Sequence, residues 1–426
     1  MLLKSWRFLK HKFERLGPGF ITGAADDDPS GIATYSITGA QFGYKLTWLS
    51  IFLLPMMYVI QEMCGRIGMV SGMGLAGAIR KYYSKRLLYT AVILLVIANT
   101  INIGADLGIM AASLQMLFGL PVFFWLVLIT CLIVGLEVFV SYDKYSRYLK
   151  WMALSVLVYG LTAIIVKQPV LTIIRFMFIP HIEFDLAYIM TIVACLGTSI
   201  SPYLFFWQTS EQVEEQIKEG KISDFEESPP VIEHEIKHMR KDTLIGMGFS
   251  NLIFLFIVLT TAATLHQNGI FDIETPQEAA LALQPLAGNF AYLLFTIGII
   301  GIGFESVPIL AGAVAYAVAD TFGFKEGLAK KFTEAKAFYL TIGLATFIGV
   351  LMNFIGINAI KALYYAAIVN CIVAVPLIAI IVKLASDERI VGKHKSSPWG
   401  RNIAWLTFSF MGLASLAMIY NLIRSG

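Results

Sequence analysis

The sequence predicts an all-α integral membrane protein of about eleven transmembrane helices, ten of them forming two five-helix repeats. Three observations predict this class. Of 426 residues 57% are hydrophobic and only 14% charged, with a mean hydropathy of +0.72, whereas soluble domains carry about 25% charged residues. Apolar runs of the length that crosses a bilayer, about 20 residues, recur along the whole chain. Two of those runs, the first and the sixth, are interrupted by the same kind of Gly/Pro-containing polar segment. This composition excludes a soluble enzyme, a nucleic-acid binder and a disordered scaffold; lipid is the solvent for most of the chain.

The elements follow in order. Residues 1–17 are basic and amphipathic and read as a cytoplasmic segment; they lack the apolar stretch and small-residue site of a cleaved signal. Spans are expected at 18–42, 46–70, 87–118, 121–141, 147–167, 187–212, 242–266, 288–320, 335–354, 359–384 and 402–422. The third and fourth are separated only by the turn at Gly119-Leu120-Pro121. Residues 18–168 form the first repeat, and 187–384 the second, with a charged cytoplasmic loop at 211–241. Residues 402–422 are an additional helix. Cys64, Cys131, Cys195 and Cys371 all lie in apolar segments without paired spacing and read as packing residues.

Charge sets the orientation. With the N-terminus inside, 27 of the 32 lysines and arginines fall on inner segments. The outer side holds only Lys45, Lys167, Arg175, Lys361 and Arg424. This bias is what the positive-inside rule expects of an eleven-span chain with its N-terminus in the cytoplasm and its C-terminus outside.

The interruptions carry the chemistry. Span 1 is broken at Asp26-Asp27-Asp28-Pro29-Ser30-Gly31 and span 6 at Gly197-Thr198-Ser199-Ile200-Ser201-Pro202. Proline removes a backbone donor and glycine tolerates unwound backbone, so each span should be two half-helices joined by an extended stretch. Irregular backbone at membrane depth is tolerated only inside protein or along a watery cavity, and matched interruptions in two halves point to a transporter's substrate site. Three aspartates at that depth call for a cation. Hard divalent ions prefer carboxylate, carbonyl, hydroxyl and water oxygens, which Asp28, Gly31, Thr198 and Ser201 could offer, with Asp26 and Asp27 raising the local negative potential. Asn99, Asn102 and Asp106 follow i, i+3, i+7 and share one face of span 3 as a cavity wall. Glu305, central in span 8, is a further buried carboxylate. Glu62 and Arg66, four residues apart, read as a local ion pair.

A competing motif is His234-Glu235-Ile236-Lys237-His238, a literal H-E-x-x-H, which on a helix aims two imidazoles at one zinc. It would make the chain a membrane zinc metalloprotease. A charged loop with no third ligand and no enclosing domain argues against it, and a solvated helix leading into span 7 is the simpler reading.

With these features in place the chain resembles the natural resistance-associated macrophage protein (NRAMP) family of divalent-metal transporters. GPGFITGAADDDPSGIAT is similar to that family's first-span segment around Asp-Pro-Gly-Asn, GADLGIMAAS to its third-span aspartate region, and GTSISPYLFFWQTS to its Ala-x-x-Met-Pro-His segment. The resemblance implies a LeuT-type fold of inverted five-helix repeats, with metal bound between unwound helices 1 and 6. It implies Asp28 as the anchor ligand. Gly31 stands where the family has asparagine, Thr198 where it has alanine, Ser201 where it has methionine, Tyr203 where it has histidine, and Gln208 at a second histidine. Loss of the thioether favours hard ions, and loss of the histidines removes the usual carriers of protons near neutral pH. These departures are similar to those of the family's magnesium-transporting branch. The expectation is therefore a monomeric secondary transporter of Mg2+, and also Mn2+, working without proton coupling in the plasma membrane, a bacterial inner membrane. It would need no cofactor, nucleic acid or protein partner. A proton-coupled Mn2+/Fe2+ transporter is the alternative, with Asp106 and Glu305 as proton carriers; an amino-acid carrier fits poorly, because three aspartates would repel its carboxylate.

Overall fold

A computed structural model describes residues 17–140 and 156–425. The basic segment 1–16, the start of the expected span 147–167 and the inner cations Lys144, Arg147 and Lys150 lie outside the described residues. All regular structure among the described residues is helical. In chain order the helices are α1 (Pro18–Ala25), α2 (Pro29–Phe42), α3 (Leu49–Ser71), α4 (Leu75–Tyr82), α5 (Lys85–Phe118), α6 (Val122–Phe139), α7 (Leu157–Ile165), α8 (Val170–Phe178) and α9 (Leu186–Ser199). They continue with α10 (Pro202–Lys218), α11 (Glu233–Thr264), α12 (Pro276–Leu281), α13 (Gln284–Ala287), α14 (Ala291–Phe322), α15 (Lys336–Met352), α16 (Ala359–Leu384), α17 (Glu388–Val391) and α18 (Pro398–Ser425).

Both expected interruptions are present. The first span is α1 and α2 with Asp26–Asp28 between them; the sixth is α9 and α10 joined through Ile200 and Ser201. Pro29 and Pro202 each occupy the first turn of the second half-helix, where a missing N–H leaves nothing unpaired. Seven stretches are apolar and long enough to cross a bilayer by length and composition: 85–118, 122–139, 186–218, 233–268, 284–322, 359–384 and 398–424.

The structure adds short helices where the sequence reads as loop. α4, between the second and third spans, buries Leu75, Ala76, Ala78 and Ile79 while Arg80 and Lys81 fall in its last turn. α8 lies beyond the fifth span. α11 begins at Glu233, nine residues before the apolar stretch, so the H-E-x-x-H segment is the first turns of span 7.

The core is made by half-helices held inside longer ones. α1 packs along α11, α9 on α16 and α18, α10 on α3 and α14, and α5 against α14, α15 and α16. Close approach at one of these contacts requires glycine: a Cβ on Gly197 would overlap the Ala367 carbonyl oxygen of α16. Outward faces stay apolar, with Phe123, Leu132, Phe139, Leu413 and Leu416 exposed, as expected of surfaces that meet lipid tails.

Candidate metal centre

The two breaks meet. Asp28 has extended backbone and is the N-cap of α2: its Oδ1 accepts the Gly31 N–H at 2.7 Å. Its Oδ2 accepts the Asn102 side-chain amide of α5 at 2.8 Å, and the Ser30 N–H and Tyr203 hydroxyl stand beside it. Across the gap the Ser30 hydroxyl lies 3.3 Å from that of Thr198, and the Tyr35 hydroxyl lies 2.8 Å from that of Ser199. Tyr203, in the first turn of α10, donates to the Ala25 carbonyl at the end of α1 at 2.7 Å. Ser201 donates to the Gly197 and Thr198 carbonyls at 2.7 and 2.9 Å, satisfying the frayed end of α9. Backbone carbonyls at the ends of α1 and α9 therefore face the break from two sides, the polarity that favours a cation.

Asp26 and Asp27 share one partner that the sequence did not reveal. The Ser250 hydroxyl of α11 lies 2.5 Å from Asp26 Oδ2 and 3.2 Å from Asp27 Oδ1. The other oxygen of each carboxylate has no hydrogen-bond partner, and among the described residues neither is ion-paired. On the α5 face, Asn99 donates to the Leu310 carbonyl at 2.9 Å and Asp106 accepts from Ser306 at 3.0 Å, so the predicted i, i+3, i+7 wall is a wall against α14. Glu305, fully buried, lies within electrostatic reach of Asp27. Gln208 sits two turns below the break, its amide beside Gly65 of α3, with both polar atoms lacking hydrogen-bond partners.

The centre is shut off from both faces: Asp26, Asp27, Asp28, Thr198 and Ser201 are each at most 1% exposed. In this closed form the missing side chain of Gly31 does not leave a cavity. A Cβ there would lie 3.3 Å from the Tyr35 ring, 3.4 Å from the Asp26 carbonyl oxygen and 3.5 Å from the Thr198 hydroxyl. Two of those three neighbours are oxygens. Among the described residues no three His, Cys, Asp or Glu side chains are grouped as a metal site.

The H-E-x-x-H segment is accounted for structurally. Glu235 accepts the Ile232 N–H at 3.2 Å and pairs with Lys221 at 2.6 Å, capping the start of α11 instead of facing a bound water. Glu62 and Arg66 form the expected pair, and the pair belongs to a larger cluster. Buried Arg66 reaches both Glu62 oxygens at 2.9 and 3.1 Å, the carbonyls of Ala385 and His394 at 3.2 and 2.6 Å, and the Ser396 hydroxyl at 2.9 Å. Arg240 of α11 meets the same Glu62 at 2.9 Å.

Comparison with known proteins bears on the family and the fold. Residues 19–421 match the family described as natural resistance-associated macrophage protein-like. A divalent metal cation transporter, MntH, of Listeria innocua is 24% identical over 99% of this chain and 93% of its own length. The crystal structure of the Eremococcus coleocola manganese transporter superposes with a TM-score of 0.75 at 17% identity, covering 96% of this chain and 86% of that one. Mhp1, a nucleobase-cation-symport-1 family transporter in a closed conformation, superposes with a TM-score of 0.60 at 13% identity, covering 95% and 91%. The expected LeuT-type architecture, with its two broken helices, is the fold found, and the chain belongs to the natural resistance-associated macrophage protein-like family.

Proposed function

We propose that this chain is a secondary transporter of divalent metal ions, chiefly Mg2+ and also Mn2+, which works by alternating access without obligatory proton coupling. The observation that carries the reading is the set of oxygen groups gathered where the two breaks meet. Beside the buried Asp28 carboxylate stand the Tyr203 hydroxyl, which reaches the Ala25 carbonyl at the end of α1, and the paired Ser30 and Thr198 hydroxyls, and serine stands where a thioether would recruit a softer metal. Hydroxyl and carbonyl oxygens suit Mg2+, Ca2+ and Mn2+. Mg2+ gives up water reluctantly, so the open forms of the site, not this closed one, have to admit it partly hydrated. The membrane potential supplies about 2.3 kcal/mol per charge per 100 mV, enough to drive a doubly charged ion inward without a second ion.

In this reading Asp28 is the anchor, Gly31, Thr198 and Ser201 line the cargo site, and Asp26 and Asp27 deepen its negative potential. Asn102 and Tyr203 hold Asp28 when no ion is bound. The two repeats, 18–168 and 187–384, rock the bundle containing α1, α2, α9 and α10 against the rest, with the N-terminus in the cytoplasm and the C-terminus outside. The relatives named as divalent metal cation and manganese transporters support the cargo class. A second reading, proton-coupled Mn2+ transport, draws on the buried carboxylates of Asp106 and Glu305, which continue from Asn102 toward α14.

Proteoliposomes loaded with magnesium- and manganese-sensitive dyes, with a pH dye in parallel, separate the two. Saturable Mg2+ uptake without acidification supports the uncoupled hard-ion reading. Mn2+ uptake with acidification and no Mg2+ uptake overturns it in favour of the coupled one.

A further inference from the structure

α1 is eight residues long, too short to hold helical form by itself, yet it ends in the aspartates of the site. Its N-cap is Gly17, which offers no side chain, and Pro18 opens the helix. The free amides at its start are satisfied from another helix. Asp242 of α11 accepts the Gly17 N–H through Oδ1 at 3.0 Å and the Phe20 N–H through Oδ2 at 3.2 Å. One turn further along α11, Gly246 lets the two backbones touch: a Cβ there would overlap the Gly19 carbonyl oxygen, and a Cβ on Gly23 would overlap the Gly246 backbone. One turn further again, Ser250 reaches Asp26 and Asp27. Asp242, Gly246 and Ser250 are spaced by four and lie on one face of α11. Asp242 is 5% exposed and Ser250 fully buried, so water does not compete for either.

We infer that Asp242, Gly246 and Ser250 form a seat that fixes α1, and that Ser250 is a positioning residue for transport. It holds the Asp26 and Asp27 carboxylates side by side and facing α11, so that the negative field beside Asp28 has a fixed direction. The two end anchors act on different things. Asp242 keeps α1 wound from its first turn, whereas Ser250 acts on the side chains where α1 stops. A single hydroxyl proton can be given to only one carboxylate at a time, so Ser250 alternates between the two. Its removal frees both aspartates to turn without loosening the helix, and loss of Asp242 loosens the helix first. The functional half of this inference rests on the metal-transport reading; the structural half does not.

The test uses the full chain in two measurements. Hydrogen exchange by mass spectrometry follows the peptide covering residues 17–25 in wild type, Asp242→Ala and Asp242→Asn. Exchange there is expected to rise about tenfold in Asp242→Ala and less in Asp242→Asn, which keeps one acceptor oxygen, with the rest of the protein unchanged. Uptake of Mn2+ into proteoliposomes is then compared for wild type, Ser250→Ala and Ser250→Thr. Ser250→Ala is expected to raise KM about tenfold with Vmax within twofold of wild type, and Ser250→Thr, which restores a hydroxyl, to recover most of it. Unchanged exchange across 17–25, or a Ser250→Ala KM within twofold of wild type, overturns the seat. Equal loss in Ser250→Ala and Ser250→Thr overturns the hydroxyl's role. Wild-type protein that moves neither Mn2+ nor Mg2+ overturns the transport reading instead, and the exchange measurement still decides the seat.

Discussion

Asp28→Asn separates the charge of the centre from its architecture. The N-cap is kept, because asparagine is as good a cap as aspartate, and the Gly31 N–H retains an acceptor. Asn102 can also be satisfied: its carbonyl oxygen has no partner in the wild-type protein, so turning its amide over presents that oxygen to the amide introduced at position 28. Removing a buried carboxylate that is not ion-paired carries no folding penalty of its own, so the thermal midpoint should stay at or above wild type. The loss falls on the ion. At a contact distance of about 2.1 Å and an effective dielectric of about 20, a divalent cation and one carboxylate attract by roughly 16 kcal/mol, most of it offset by stripping water from both. The net loss is of the size seen when one partner of a buried charge pair is removed, about 3–5 kcal/mol, which converts to a KM higher by about two hundred- to five thousand-fold. Asp28→Ala should lose uptake to the same extent and, in addition, about 1 kcal/mol of stability with the cap. Dye-based uptake in proteoliposomes and thermal unfolding in detergent read the two effects separately. Wild-type KM in Asp28→Asn, or equal destabilisation by asparagine and alanine, would refute the reasoning.

Two further predictions concern buried charged groups away from the two breaks. Arg66→Met leaves Glu62 with Arg240 alone and strands the carbonyl of His394, whereas that of Ala385 keeps the Ser396 N–H and hydroxyl; a loss of about 3–5 kcal/mol is expected, read as a lower thermal midpoint, and Arg66→Lys should not rescue a site that uses all three guanidinium nitrogens. Glu326, just beyond α14 and almost fully buried, has its carboxyl raised well above the usual carboxylate range, first by burial and then by the neighbouring charge of Asp320. A carboxyl that binds its proton more tightly when folded gives stability that is present below its ordinary pKa and lost as pH rises through the raised one. Glu326→Gln should therefore flatten the fall of the thermal midpoint toward alkaline pH, and an unchanged pH profile would contradict the assignment.

What was legible in the sequence was set by local signals. Pro29 and Pro202, each preceded within a few residues by polar side chains in an apolar run, located both breaks within six-residue windows, of which only Asp26–Asp28 and Ile200–Ser201 are non-helical, and the i, i+3, i+7 spacing put Asn102 on the face that meets Asp28. The capping role of Asp28 was legible too, in Asp-Pro-Ser-Gly, although the charge of the aspartates drew the reading toward a ligand alone. Short helices were not legible: α4 and α8 hold eight and nine residues, below the length at which an apolar window registers a span. The charged start of α11, which a hydropathy scan does not register, was legible as a solvated helix leading into span 7, and the Glu235 cap opens it. Ser250, Asp242 and Ser306 were invisible for a different reason. Each meets its partner across 200 or more residues, and no periodicity within one span encodes that pairing.

The closed form also bears on coupling. A carrier driven only by its cargo's gradient must return empty, and so must pass through a closed state with no cation to neutralise its aspartates. Bare carboxylates in a dry core would make that passage slow, since isolated buried charge costs several kcal/mol per ion. Here the aspartates have neutral donors from the protein itself. Gly31 and Asn102 serve Asp28, Ser250 serves Asp26 or Asp27 in turn, and Ser306 serves Asp106. None of these donors carries a charge, so an arriving divalent ion displaces them without having to overcome a competing cation. In the uncoupled reading proposed above, that arrangement lets the same aspartates accept a divalent ion in the open forms and remain tolerable when the site closes without one; in the proton-coupled reading protons neutralise the empty site, and the three sets of neutral donors have less to do.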